Sequence, residues 1–182
     1  PSTLLRINPS TLLSMSRLRN YGLILLAFFM QVFLADFLKL GGAKPNFMIV
    51  ITVFFALFTD ERFGLEAGFI CGMILDIFTI RLFGLNTILF SFVGYMIGRF
   101  NNKIYRESVI TYAITVFLAS FFILSLYRFF IAIENRLLLS RLSFGFVFSP
   151  VVFLSVIYNA FLGTLAHTFL CRALKLGETS VL

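Results

Sequence analysis

The chain has 182 residues, of which 60% are hydrophobic and only 13% charged, against about 25% charged in an ordinary soluble domain. With 26 Phe and a mean hydropathy of +1.00, a soluble globule would expose large apolar patches. A soluble domain, a disordered chain and a nucleic-acid reader are therefore excluded, and lipid is the expected solvent. The net charge of +7, from 15 Lys+Arg and 8 Asp+Glu, then reads as basic loops on the cytoplasmic side.

Residues 1–20 are polar and basic, with Arg6, Arg17 and Arg19, and repeat Pro-Ser-Thr-Leu-Leu at 1–5 and 9–13. They read as a cytoplasmic tail or as a short helix lying on the membrane through Leu12, Leu13, Met15 and Leu18. No stretch ends in a small-residue cleavage site after a basic and apolar run, so a removable signal peptide is not expected.

Six apolar blocks follow, at roughly 21–38, 46–59, 63–80, 82–98, 108–133 and 144–170. A spanning helix needs roughly 20 apolar residues, and five of the six meet or approach that. The second is short, but polar loops flank it, and it is taken as a full span. Together residues 21–171 form one six-span domain, with 172–182 as a cytoplasmic tail. If the N-terminus is cytoplasmic, the inner segments hold nine basic residues: Arg6, Arg17, Arg19, Arg62, Arg99, Lys103, Arg106, Arg172 and Lys175. The outer loops hold five: Lys39, Lys44, Arg81, Arg136 and Arg141. This bias favours six spans with both termini inside. No loop is long enough for a soluble catalytic domain.

The third block is the most informative. Gly64, Gly68 and Gly72 recur every four residues and Asp76 continues the series, which at 3.6 residues per turn makes one slowly drifting stripe. Gly94 and Gly98 repeat the spacing in the fourth block. Such a stripe lets another backbone come close, either within the bundle or as a groove for a partner's transmembrane helix. The charges within the spans form a second pattern. With the N-terminus inside, Asp36, Asp76, Arg81, Asn86 and Arg128 all lie toward the outer ends, as a polar cluster of two acids and two bases with Asn86. Ionisable groups in hydrocarbon pair or face a cavity, although Arg81 and Arg128 are also long enough to snorkel. Glu66, near the inner end, is expected to face the headgroups beside Arg62. Asn159 is expected to bond a neighbouring helix, Pro45 to precede a helix, and Pro150 to bend its helix or sit in its first turn. Cys71 and Cys171 read as reduced and packed, and His167 as a packing residue. No P-loop, GxSxG, HExxH or metal-ligand spacing occurs, so no catalytic residues, cofactor or metal are expected.

These residues carry a family resemblance. Lys44-Pro45-Asn46 before the second block, the Gly64–Asp76 run, Phe83-Gly84-Leu85-Asn86 and Gly94-Tyr95 look like the rod shape-determining MreD family, over nearly the whole chain after residue 20. Asn46 stands where that family more usually has an acid. The resemblance implies an all-α bundle of six transmembrane helices, similar in fold to the S components of energy-coupling-factor transporters. It also implies a non-enzymatic inner-membrane subunit of the bacterial elongasome that binds MreC and helps regulate peptidoglycan synthesis. RodA, its transpeptidase partner, RodZ and MreB would be further partners, with self-association left open and no nucleic acid. The rival is a substrate-binding subunit of S-component type for a small molecule or lipid. A shared fold does not by itself carry ligand binding.

Overall fold

A computed structural model of the chain describes residues 9–79, 82–101, 108–139 and 149–174. Every regular element among them is an α-helix: α1 (Pro9–Phe33), α2 (Phe47–Phe58), α3 (Glu61–Phe78), α4 (Leu85–Phe100), α5 (Val109–Leu139) and α6 (Pro150–Leu174). Each apolar block is one helix, and side-chain caps set the boundaries. Asn46 Oδ1 accepts from the Met48 and Ile49 amides at 3.1 and 3.2 Å, starting α2. Asp60 Oδ1 accepts from the Phe63 amide at 3.2 Å, starting α3, and Glu61 in the first turn suits the positive end of the helix dipole. Pro150 is the first residue of α6, where its missing N–H costs nothing. The second copy of the N-terminal repeat lies within α1, so tail and first block are one continuous helix from Pro9. Residues 1–8 and 175–182, with Arg6, Lys103, Arg106, Arg141 and Lys175, lie outside the described residues.

The short second block is the centre of the molecule. α2 is apolar on all sides, which is the pattern of a core helix. Met48 through Leu57 are all buried, and α2 touches each of the other five helices. At 12 residues it rises about 18 Å, short of the ~30 Å hydrocarbon core. The sequence expects a full span here; as a helix, α2 reaches only part of that depth. Val109–Asn135 of α5 and Pro150–Leu170 of α6 are long and apolar enough to cross a bilayer, whereas Leu85–Phe100 is shorter.

The outer helices turn apolar side chains outward. α3 exposes Leu65, Phe69, Met73 and Ile77, α5 exposes Ile110, Ile114 and Leu118, and α6 exposes Ile157, Phe161, Leu165 and Phe169. Such a surface is unstable in water and ordinary in lipid. Around α2 the neighbours run α1–α3–α4–α5–α6, and among the described residues α6 makes no contact with α1.

α3 and α4 form the tightest pair, and the glycine stripe is their interface. A Cβ on Gly64 would lie 2.6 Å from the Gly94 carbonyl oxygen, one on Gly68 2.3 Å from that of Phe90, and one on Gly72 2.5 Å from Thr87 Cα. From the other side, a Cβ on Gly94 would meet Gly64 O at 2.1 Å and one on Gly98 would meet Glu61 Cα at 2.7 Å. The obstructing atoms are backbone, so no side chain can swing away. Gly68→Ala should therefore lower stability in detergent by about 1–3 kcal/mol through overpacking. Gly22→Ala, with nothing within 4 Å of its added Cβ, should leave it unchanged or raise it by up to about 1 kcal/mol. Circular-dichroism melts of the two variants check this pair of outcomes.

Candidate functional site

Polar groups gather where α1, α3 and α5 end and α2, α4 and α6 begin. Rings of α1 and α3 pair in order along their length, Tyr21 with Phe63 and Phe28 with Phe78, so these two helices run parallel. Hydrogen bonds divide the groups into two networks.

The first centres on Asp76, which is 1% exposed in the last turn of α3. Its Oδ1 accepts from the Asn86 amide at 3.1 Å and from Asn86 Nδ2 at 3.0 Å. Its Oδ2 accepts from the Thr87 amide at 2.8 Å and Thr87 Oγ1 at 2.6 Å. Both amides belong to the first turn of α4, where backbone N–H groups lack helical partners. Asp76 is thus an N-cap supplied by a neighbouring helix, placed where a negative charge suits the dipole. The short side chain reaches because Gly72 lets the Thr87 backbone approach.

The second network is built on the α1–α2 connection. Gly41 and Gly42 both have positive φ, 56° and 85°, and the Leu40 and Ala43 backbones exchange hydrogen bonds of 3.0 and 2.9 Å. This is a two-residue turn whose geometry requires glycine-like freedom. α6 holds the connection: Tyr158 Oη donates to Leu38 O at 3.0 Å, and the Asn46 amide donates to Asn159 Oδ1 at 2.8 Å. Asn159, fully buried, donates from Nδ2 to Ser120 Oγ of α5 at 3.2 Å. Gln31 of α1 accepts from the Phe47 amide at 2.8 Å. Beside this lattice lies a cavity of about 280 Å³ lined by Lys39, Lys44 and Arg128 together with Asn46, Ser155 and Asn159. Arg128 Nη1 donates to Ser149 Oγ at 3.0 Å. Lys44 pairs with Asp36.

The four described residues of the expected cluster are therefore distributed. Asp76 and Asn86 bond each other; Asp36 joins Lys44 in the α1–α2 connection; Arg128 lines the cavity that Lys44 also lines. Arg81 lies outside the described residues. Gly64 meets Gly94 across α3 and α4, while Gly68 and Gly72 meet the backbones of Phe90 and Thr87 and Gly98 meets that of Glu61. Backbone atoms of α4 thus occupy the place that a partner helix would need in the groove reading. At the opposite end, Glu66 is bonded by Tyr21 Oη of α1 rather than pairing along its own helix with Arg62, and Glu61 pairs with Arg99 at 3.1 Å. His167 packs its ring against Tyr112 and Phe58, and Cys71 is a buried free thiol. Gln31 and Thr87 escape notice in the sequence, and Lys39 is counted there only as an outer-loop charge. Asn46 is noticed there only as a replaced acid, although a Pro-Asn pair before an apolar block is a helix-start signal.

A family model described as rod shape-determining protein MreD matches residues 17–172. No curated protein and no solved structure matches the chain.

Asp76→Asn keeps one carbonyl acceptor and leaves two of the four donors of Asn86 and Thr87 unpaired. It should cost about 2–4 kcal/mol, read as a lowered detergent melt. Asp36→Asn, in an exposed pair, should leave the same melt unchanged.

Proposed function

The chain belongs to the rod shape-determining MreD family, whose members are membrane proteins that determine cell shape, and from that membership we propose that it is a non-catalytic subunit that binds MreC. In this reading the six helices form one bundle in the bacterial inner membrane, with both termini cytoplasmic. The excess of nine basic residues over five on the inner side supports that orientation. By holding MreC, the protein acts on peptidoglycan synthesis by RodA and its transpeptidase partner, with RodZ and MreB in the same assembly. The match over residues 17–172 is the single observation that carries the reading.

Because the α4 backbone packs on the glycine stripe of α3, we do not place the seat for MreC's transmembrane helix there. We assign it instead to the seam between α4 and α5. There a cavity of about 330 Å³ is lined by Phe92, Met96, Phe100, Leu118 and Phe122, with Thr115 as the only hydroxyl-bearing residue among the described lining. Phe92 and Phe122 stack across it with ring centres 5.9 Å apart. A uniformly apolar, aromatic-walled seam suits an apolar helix, which gains by van der Waals fit rather than by charge.

Wild-type protein should co-purify with MreC from mild detergent. Leu118→Trp, which fills the seam from an exposed position, should reach the membrane in normal amounts while losing most of the MreC and failing to restore rod shape in cells. Absence of MreC from the wild-type preparation contradicts the function. Full MreC retention by Leu118→Trp contradicts only the seam.

A further inference from the structure

We propose that the bundle holds one anionic phospholipid, with its phosphate at Lys39, Lys44 and Arg128 and an acyl chain in the cleft between α1 and α6. The polar cavity of about 280 Å³ brings these three cations to one wall-lined space with no carboxylate among its described lining residues, and Asp36 pairs with Lys44 at its edge. Three positive charges against one negative favour a ligand with a negative headgroup. Lys ammonium groups and an Arg guanidinium are the side chains that bind phosphate oxygens.

The tail has a place as well. The cleft between α1 and α6 has a volume of about 370 Å³, within the range of about 300–1,000 Å³ common to ligand sites. Its walls are Leu23, Leu26 and Met30 of α1 and Leu162, Leu165 and Phe169 of α6, with α2 as floor. Leu26, Met30, Leu165 and Phe169 are partly exposed at its edge, so the cleft opens sideways to the bilayer and a chain can enter without crossing a polar barrier. The two spaces adjoin. Met30 lines one and Gln31 the other; Phe47 lines one and Asn46 the other; Leu162 lies one turn beyond Asn159 on α6. A free anion would use the cations and leave the cleft unexplained. An apolar helix in the cleft would leave the cations unexplained. A phospholipid accounts for both, and it does not depend on MreC binding.

The test is native mass spectrometry of the purified full chain with equal amounts of phosphatidylglycerol and phosphatidylcholine carrying identical acyl chains. The phosphatidylglycerol adduct should dominate by about tenfold or more. Lys39→Gln and Lys44→Gln should each reduce that preference by about fivefold. Leu26→Trp, in the cleft, should reduce binding of both lipids. Arg99→Gln, a cation at the opposite end, should leave the preference unchanged. Lys39→Gln alone, at an exposed position, suffices if Lys44→Gln, which loses its pair with Asp36, does not fold. Equal binding of the two lipids overturns the proposal, as does an equal loss in Arg99→Gln. Full displacement of phosphatidylglycerol by inorganic phosphate would make the site one for free anions and overturn the lipid assignment.

Discussion

The backbones of α3 and α4 are packed without intervening side chains, and the rest of the molecule is arranged around that contact. Lipid tails are as apolar as Leu, so burying an apolar side chain in a membrane bundle gains little. Close van der Waals contact and satisfied polar groups hold helices together instead. Gly64, Gly68, Gly72, Gly94 and Gly98 supply the first. Asp76 supplies the second, and it depends on the first: with a side chain at position 72, the amides of Asn86 and Thr87 would lie beyond the reach of so short an acid. The hairpin is therefore closed at one end by a buried carboxylate with four bonds, and at the other by the Glu61–Arg99 pair.

Seen from α2, the bundle has two blocks. The α3–α4 hairpin forms one and the α5–α6 pair the other, both pack on the central helix, and α1 rests mainly on α2. Polar bonds join the second block to α2 and its leading loop. Tyr112 Oη donates to Val50 O at 2.8 Å, Asn159 accepts from the Asn46 amide, and Tyr158 Oη donates to Leu38 O. The two apolar spaces are the seam between the blocks, at α4 and α5, and the seam between α6 and α1. Ligands assigned to those seams would bear on how the blocks sit together, while the tight hairpin stays closed.

The sequence is explicit about some of this and silent about the rest, for identifiable reasons. The helices are legible because apolar blocks are separated by strong punctuation, such as Asp60-Glu61-Arg62 and Lys44-Pro45-Asn46. The glycine stripe is legible because its spacing marks a surface of close approach. Which backbone approaches is not, since a stripe of small residues looks the same toward a neighbour in the chain and toward a partner. The described members of the expected polar cluster are spread over two networks for a related reason. Depth in the membrane follows from position along a helix, but direction around the bundle does not. Asp36 and Asp76 therefore share an end while bonding different partners. Asn46 shows the reverse: the sequence marks it only through the family resemblance, whereas in the structure it accepts amide hydrogen bonds at a helix start, a task for which Asn and Asp are about equally suited.

The measurement that bears most directly on the central contact is a double-mutant cycle between Asp76 and Thr87, using Asp76→Asn, Thr87→Val and the double variant, with unfolding free energies taken from titration into dodecyl sulfate micelles. If the α3 carboxylate caps α4 as described, the two positions are coupled by about 1 kcal/mol or more. Effects that add to within about 0.3 kcal/mol would mean that the two side chains act independently, and would contradict the clamp on which this account of the fold rests.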